Sequence, residues 1–146
     1  GSIDKFLGDG IMATFGAATV SDTFAADAVR ALEESIAAAN DWQAQNERDG
    51  QPAPRVNGAI ATGRIVFGAI GDETRLEYTV IGDAVNLSAK LEQFNKRLGT
   101  AALCDGATYE HALAQGYDPG SGGPRKPERH AVPGVSQPVD VVVLAG

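Results

Sequence analysis

The chain has 146 residues, 43% hydrophobic and 21% charged, a balance that suits one globular domain with its own core and speaks against disorder. Its net charge of -7 argues against a broad nucleic-acid surface, which needs a basic face for phosphates, and no apolar run nears the ~20 residues of a membrane helix. The single cysteine, Cys104, excludes an internal disulfide, and no His/Cys spacing resembles a zinc-ligand cluster, so reducing cytoplasm is the expected setting.

Gly1-Ser2 runs into strand-like sequence with no initiator Met and no signal peptide, which reads as a cut from a longer chain. Residues 3–7 and 11–15 are each of strand length, and Gly8-Asp9-Gly10 between them predicts a hairpin with an acid at its tip. Ser21-Asp22 offers a helix cap. Ala25, Ala28, Val29, Leu32, Ile36 and Ala39 then repeat at helical spacing, and the helix is expected to end near Asp49-Gly50. After a loop at Pro52 and Pro54, residues 55–60 and 64–70 read as two strands of one glycine-rich hairpin turning at Thr62-Gly63. No Gly-Lys-Ser/Thr follows these glycines, so they predict close backbone approach or bulges rather than a phosphate loop.

Tyr78 to Ile81 is a short apolar run, Gly82-Asp83 a turn, and residues 84–98 a second helix. A strand over 100–104 and a short helix over 108–113 follow, then a Gly/Pro-rich stretch over 116–127 that predicts a flexible loop. Residues 129–132 and 139–144 suggest a closing strand pair. Trp42 and Phe24 are expected to pack, Cys104 to be buried and inert, and His111 and His130 to be surface or packing residues. The fold class expected is α+β, a ferredoxin-like or palm-type α/β sandwich with helices laid on a mostly antiparallel sheet.

On the second helix Leu87, Leu91, Phe94 and Leu98 form a core stripe, and Asn86 and Lys90 stand four apart on an adjoining one. Asn86, near a helix N-terminus, is placed to donate toward a phosphate or sugar oxygen. Taken alone, such a pair is usually solvated surface, and a lone Asp9 in a turn is usually a turn former.

Two segments change that reading. Lys5-Phe6-Leu7-Gly8-Asp9-Gly10 and Tyr78-Thr79-Val80-Ile81-Gly82-Asp83-Ala84-Val85-Asn86-Leu87-Ser88-Ala89-Lys90-Leu91-Glu92 resemble the class III nucleotide cyclases, with the flavour of bacterial adenylate cyclases. The resemblance runs from Ile3 through Pro138-Val139-Asp140-Val141. It implies attack of the ribose 3'-hydroxyl of ATP on the α-phosphorus, giving 3',5'-cyclic AMP and pyrophosphate, with two divalent ions, Mg2+ or Mn2+, held by two aspartates. On that resemblance Asp9 matches the second metal aspartate, Lys5 the base-selecting lysine and Thr79 its partner. Asn86 matches the ribose-orienting residue, and Arg75 lies near a phosphate-binding arginine. A lysine donor suits adenine N1 and a hydroxyl the 6-amino group, so ATP is favoured over GTP.

Three departures accompany the match. Lys90 stands where the family has its transition-state arginine, keeping the charge without the two-donor fork. Pro133 stands in place of a second phosphate-binding lysine. Nothing ahead of Lys5 supplies the first metal aspartate, which sits in a Phe-x-Asp-Ile strand. The expectation is therefore a cyclase catalytic domain over 1–146, N-terminally truncated, with an upstream regulatory domain and a homodimer whose sites are shared between protomers. The fragment itself could then be inactive. No nucleic acid and no membrane insertion are expected. The competing reading is a non-catalytic cyclase-like module that dimerises or binds a nucleotide in signalling.

Overall fold

A computed structural model describes residues 1–146. The fold is α+β, as expected. In chain order the elements are β1 (Ser2–Leu7), β2 (Gly10–Thr14), α1 (Phe24–Arg48), β3 (Gly58–Ile60), β4 (Val66–Asp72), β5 (Arg75–Ile81), α2 (Asp83–Leu98), β6 (Ala102–Asp105), α3 (Gly106–Ala114), β7 (Glu128–His130) and β8 (Val139–Ala145). A four-stranded sheet runs β3-β6-β8-β7, with β3 parallel to β6 and the other pairs antiparallel. The strands β1-β2 and β4-β5 form two separate antiparallel ribbons that share no hydrogen-bond ladder with it.

Helices cover both faces of the four-stranded sheet, so all four residues of β6 are buried. Strand alternation sorts its side chains into two cores. Ala102 and Cys104, with Val142 and Leu144 of β8, pack beneath α1 and α3 against Val29, Ile36 and Tyr109. Leu103 and Val141 point the other way and meet Leu91 and Phe94 of α2. Leu91 and Leu103 are fully enclosed, and such burial stabilises by roughly 1.5–3 kcal/mol per side chain.

Asn95, also fully buried, ties α2 to this framework: its amide donates to the Gly58 carbonyl at 3.0 Å, and the Thr100 hydroxyl donates to its oxygen at 2.9 Å. Helix α1 begins two residues later than the Ser21-Asp22 cap predicts. Its first amides, Ala25 and Ala26, donate instead to Gln115 Oε1 at 2.8 and 3.2 Å, a cap supplied from the far end of α3.

Four sequence expectations are corrected. Residues 55–70 do not form a hairpin. The Asp72 carboxylate accepts from Thr74 N (2.8 Å), Thr74 Oγ1 (2.6 Å) and Arg75 N (3.1 Å), building a tight turn that pairs β4 with β5 and leaves β3 to join β6. These bonds, the Thr74 hydroxyl foremost, hold the Asp72 carboxyl below its usual range. The expected close approach occurs here, since a Cβ on Gly71 would lie 1.7 Å from the Arg75 carbonyl oxygen. Second, the sheet is mostly antiparallel as expected, but β1-β2 and β4-β5 stand apart from it as ribbons.

Third, Trp42 is 46% exposed rather than packed, while Phe24 packs as expected. Fourth, the 116–127 loop has no regular structure but is pinned. The Arg125 guanidinium reaches Glu33 Oε1 and the Tyr117 hydroxyl, each at 2.7 Å, and its backbone N–H donates to Tyr109 Oη at 3.0 Å.

Candidate active site

The β1-β2 hairpin closes on a two-residue turn in which Gly8, at φ +65, supplies the left-handed backbone and Asp9 presents an exposed carboxylate. Lower in the ribbon the register slips between Ile3 and Lys5, leaving Asp4 as a bulged residue. In a regular strand Asp4 and Lys5 would point to opposite faces. The bulge turns both inward: the Asp4 side chain is only 4% exposed and that of Lys5 32%.

Both face β5, where Glu77 and Thr79 lie two apart on one side of the strand. Thr79 Oγ1 donates to Asp4 Oδ2 at 3.2 Å. The Lys5 ammonium sits 3.9 Å from Asp4 Oδ2 and 3.9 Å from Glu77 Oε2. Lys5 and Thr79, remote in sequence, thus share one carboxylate.

Strand β5 leads through Gly82 directly into α2. Asn86 is exposed on the first turns of that helix, and Lys90 follows one turn later, half-buried. The Lys90 side chain lies over the β7-β8 connection, where a Cβ on Gly134 would come within 3.0 Å of its Nζ. Gln93, Phe94, Arg97 and Pro133 line the same recess.

Of the residues singled out from sequence, Lys5 and Thr79 come together, and Asn86 and Lys90 share one helix flank. Arg75 stands elsewhere, paired with Asp72 at the β4-β5 tip, about 13 Å along the strand from Thr79 at ~3.3 Å per residue. Asp9 stands at the other ribbon's tip. No group of three or more His, Cys, Asp or Glu side chains is gathered to hold a metal ion. The donors fit a hard divalent cation as far as one carboxylate goes; the remaining oxygens would come from nucleotide phosphates, water or a second chain.

Other candidates resolve as packing groups. His130 meets the Phe94 ring at 5.6 Å and His111 the Phe24 ring at 6.1 Å. Burial pushes the Cys104 thiol up, so it stays protonated. Arg129 pairs with Asp140 at 3.2 Å. Sequence reasoning missed Asp4, Glu77 and Arg97. An acid beside Lys5 inside an apolar strand was a visible signal for Asp4, but alternation places it on the wrong face.

The chain is similar to known proteins in sequence and in fold. The chain is 38% identical over 110 residues to adenylate cyclase 1 of Rhizobium meliloti, covering 73% of this chain and 16% of that protein. Among solved structures, the adenylyl cyclase CyaB from P. aeruginosa superposes with a TM-score of 0.72 at 29% identity, covering 99% of this chain and 71% of that one. The chain belongs to the class III nucleotide cyclases. The guanylyl cyclase Cya2 superposes almost as well as CyaB, with a TM-score of 0.71 at 28% identity over 97% of this chain and 68% of that one. No family model matches the chain. Against this class III background the chain spans only a minor part, 16%, of the Rhizobium relative's length. No helix is long and apolar enough to cross a membrane.

Proposed function

We propose that these residues form the catalytic region of an adenylate cyclase, in which the ribose 3'-hydroxyl of ATP attacks its own α-phosphorus and pyrophosphate leaves. The observation that carries the choice of base is the meeting of Lys5 and Thr79 on Asp4. It sets an ammonium donor beside a hydroxyl whose proton is already engaged, which complements adenine's N1 acceptor and 6-amino donor. The similar structures include both an adenylyl and a guanylyl cyclase, so the preference for ATP rests on these side chains.

Asn86 orients the ribose from the first turns of α2. Lys90, one turn on, offers a point charge to the α-phosphate, where charge develops in the transition state. Arg97, lining the same recess as Lys90, adds positive charge near the position where Pro133 replaces the family's lysine. Asp9 would hold Mg2+ or Mn2+, which when bound would polarise the nucleophile and neutralise the phosphates. Arg75, at its ribbon tip, serves phosphates only if the tip reaches a neighbouring site.

Two copies of the chain share each site in this reading. Apolar side chains on the ribbons support it: Phe6 and Tyr78 are 75% and 74% exposed, and Ile3, Leu76 and Val66 are exposed as well, apolar area that a second copy would cover. Regulatory input would come from a sensor outside these residues.

The test pairs equilibrium binding of ATP and GTP, with Mn2+ present, with cyclic nucleotide formation in wild type, Asp9→Asn and Lys90→Ala. Mn2+-dependent ATP binding that Asp9→Asn weakens, and turnover that Lys90→Ala abolishes, are expected. Unchanged turnover in Lys90→Ala removes Lys90 from its role. ATP binding without turnover, both in these forms and in a chain extended upstream through a Phe-x-Asp-Ile strand, favours the second reading, a nucleotide-binding signalling module. That reading draws on Lys90 and Pro133, two departures from the family's pattern, which line one recess.

A further inference from the structure

We propose that Asp4 is a positioning residue for base selection: it accepts the hydrogen bond of the Thr79 hydroxyl and so fixes Thr79 as an acceptor toward the nucleotide base. The inference rests on the reading of Lys5 and Thr79 as the base-reading pair. It adds to that pair a residue whose role lies in the direction of one hydrogen bond.

A threonine hydroxyl has one proton and two lone pairs, and on its own it turns to suit either a donor or an acceptor. An ionised carboxylate only accepts. With Asp4 Oδ2 at 3.2 Å, the Thr79 proton is committed inward and only lone pairs face out. The Asp4 side chain is 4% exposed, so water competes little for that proton. The bulge at Asp4 is what brings the carboxylate to this face.

The consequence for the two purines is opposite. Adenine shows a 6-amino donor next to its N1 acceptor, complementary to an accepting Thr79 and a donating Lys5. Guanine shows an O6 acceptor next to an N1–H donor. Its O6 would face lone pairs and its N1–H an ammonium, leaving both polar groups mismatched, and unpaired polar groups in a site are the strongest source of discrimination between close analogues. If Asp4 is removed, Thr79 can rotate and donate to O6, so half of the rejection disappears while Lys5 maintains the other half.

The experiment measures dissociation constants of fluorescent ribose-modified ATP and GTP, with Mn2+, for wild type, Asp4→Ala, Asp4→Asn and Thr79→Val. Wild type is expected to prefer the ATP analogue. Asp4→Ala should lower the GTP-to-ATP ratio of dissociation constants about 10-fold, mainly by improving GTP binding, about the worth of one hydrogen bond. Asp4→Asn, whose amide oxygen still accepts, should restore most of the ratio. In a Thr79→Val background Asp4→Ala should leave the ratio where it is, because the hydroxyl it acts through is gone. Should Asp4→Ala not fold, Asp4→Leu fills the volume without an acceptor and is read in the same way.

A wild-type chain that selects ATP, with Asp4→Ala weakening both nucleotides equally, would overturn the role of Asp4 and leave the cyclase reading standing. A wild-type chain that binds neither nucleotide, or prefers GTP, would overturn the base-reading pair itself and this inference with it.

Discussion

The backbone of Gly134 rests against the side chain of Lys90: a methyl group added there would lie 2.8 Å from Lys90 Cε and 3.0 Å from its Nζ. The β7-β8 connection therefore decides where the cation of α2 can stand. Gly134 also has φ +81, a conformation that costs an L-residue about 1–2 kcal/mol. Gly134→Ala is expected to destabilise by about that amount and to push the ammonium out of place. In steady-state kinetics it should lower kcat roughly 10-fold with little change in KM, since a displaced charge is missed most in the transition state. Unchanged kcat would show that Lys90 does not work from this position.

Leu91 anchors α2 to the sheet and is completely enclosed, with Phe94, Leu103 and Val141 around it. Leu91→Ala should cost about 2–5 kcal/mol in chemical denaturation. A loss below 1 kcal/mol would mean that this core collapses around the cavity.

Arg125 fastens the 116–127 segment to α1 through Glu33, with Tyr117 of the same segment bonded to both. The ion pair is part-exposed, so its own contribution to stability should be small, about 1 kcal/mol. Its larger effect is local. Arg125→Ala should make the segment sensitive to limited proteolysis within 116–127 while the rest stays protected. An unchanged digestion pattern would show that the Gly/Pro-rich chain is held by something other than this network.

Burial, foremost, pushes the Tyr117 phenol above its ordinary value of 10.0. The folded chain then holds this proton at a pH where the unfolded chain has released it. That contribution is complete below about pH 10 and is lost as pH rises through the raised value. Denaturation measured from pH 9 upward should show stability falling, and Tyr117→Phe should flatten the fall. Parallel slopes in the two proteins would assign the alkaline loss elsewhere.

Phe6 and Tyr78 carry the exposed apolar surface of the ribbons. Sedimentation should show the wild-type chain associating with concentration, and Phe6→Lys should shift it toward monomer without changing its thermal midpoint. A wild-type chain that stays strictly monomeric at high concentration would refute association through this face.

Much of this architecture was legible in the sequence because it is local. The Gly8-Asp9 turn, the apolar period of α1, the core stripe of Leu91 and Phe94 and the closing β7-β8 pair each follow from neighbours within a few residues. What was missed depends on distant partners or on irregularity. Residues 55–60 and 64–70 both read as strands, but nothing local says that β3 pairs with β6 across more than forty residues. The α1 cap comes from Gln115, invisible beside a plausible Ser21-Asp22. Asp4 was passed over because strand alternation assigns it the face opposite Lys5, and a one-residue bulge reverses that assignment.

The separate ribbons have a mechanical consequence. Lys5 and Thr79, the proposed base-reading pair, ride on β1 and β5, outside the ladder of the four-stranded sheet, whereas Lys90 is seated on the helix that this sheet grips through Asn95 and Leu91. In the proposed function, recognition thus belongs to the ribbons and chemistry to the helix on the sheet, linked through Gly82 and through the connections over 15–23 and 61–65. A nucleotide that clasps both would act as the missing brace between them, and in hydrogen exchange the ribbons should slow on ligand binding while the sheet, already locked, hardly responds.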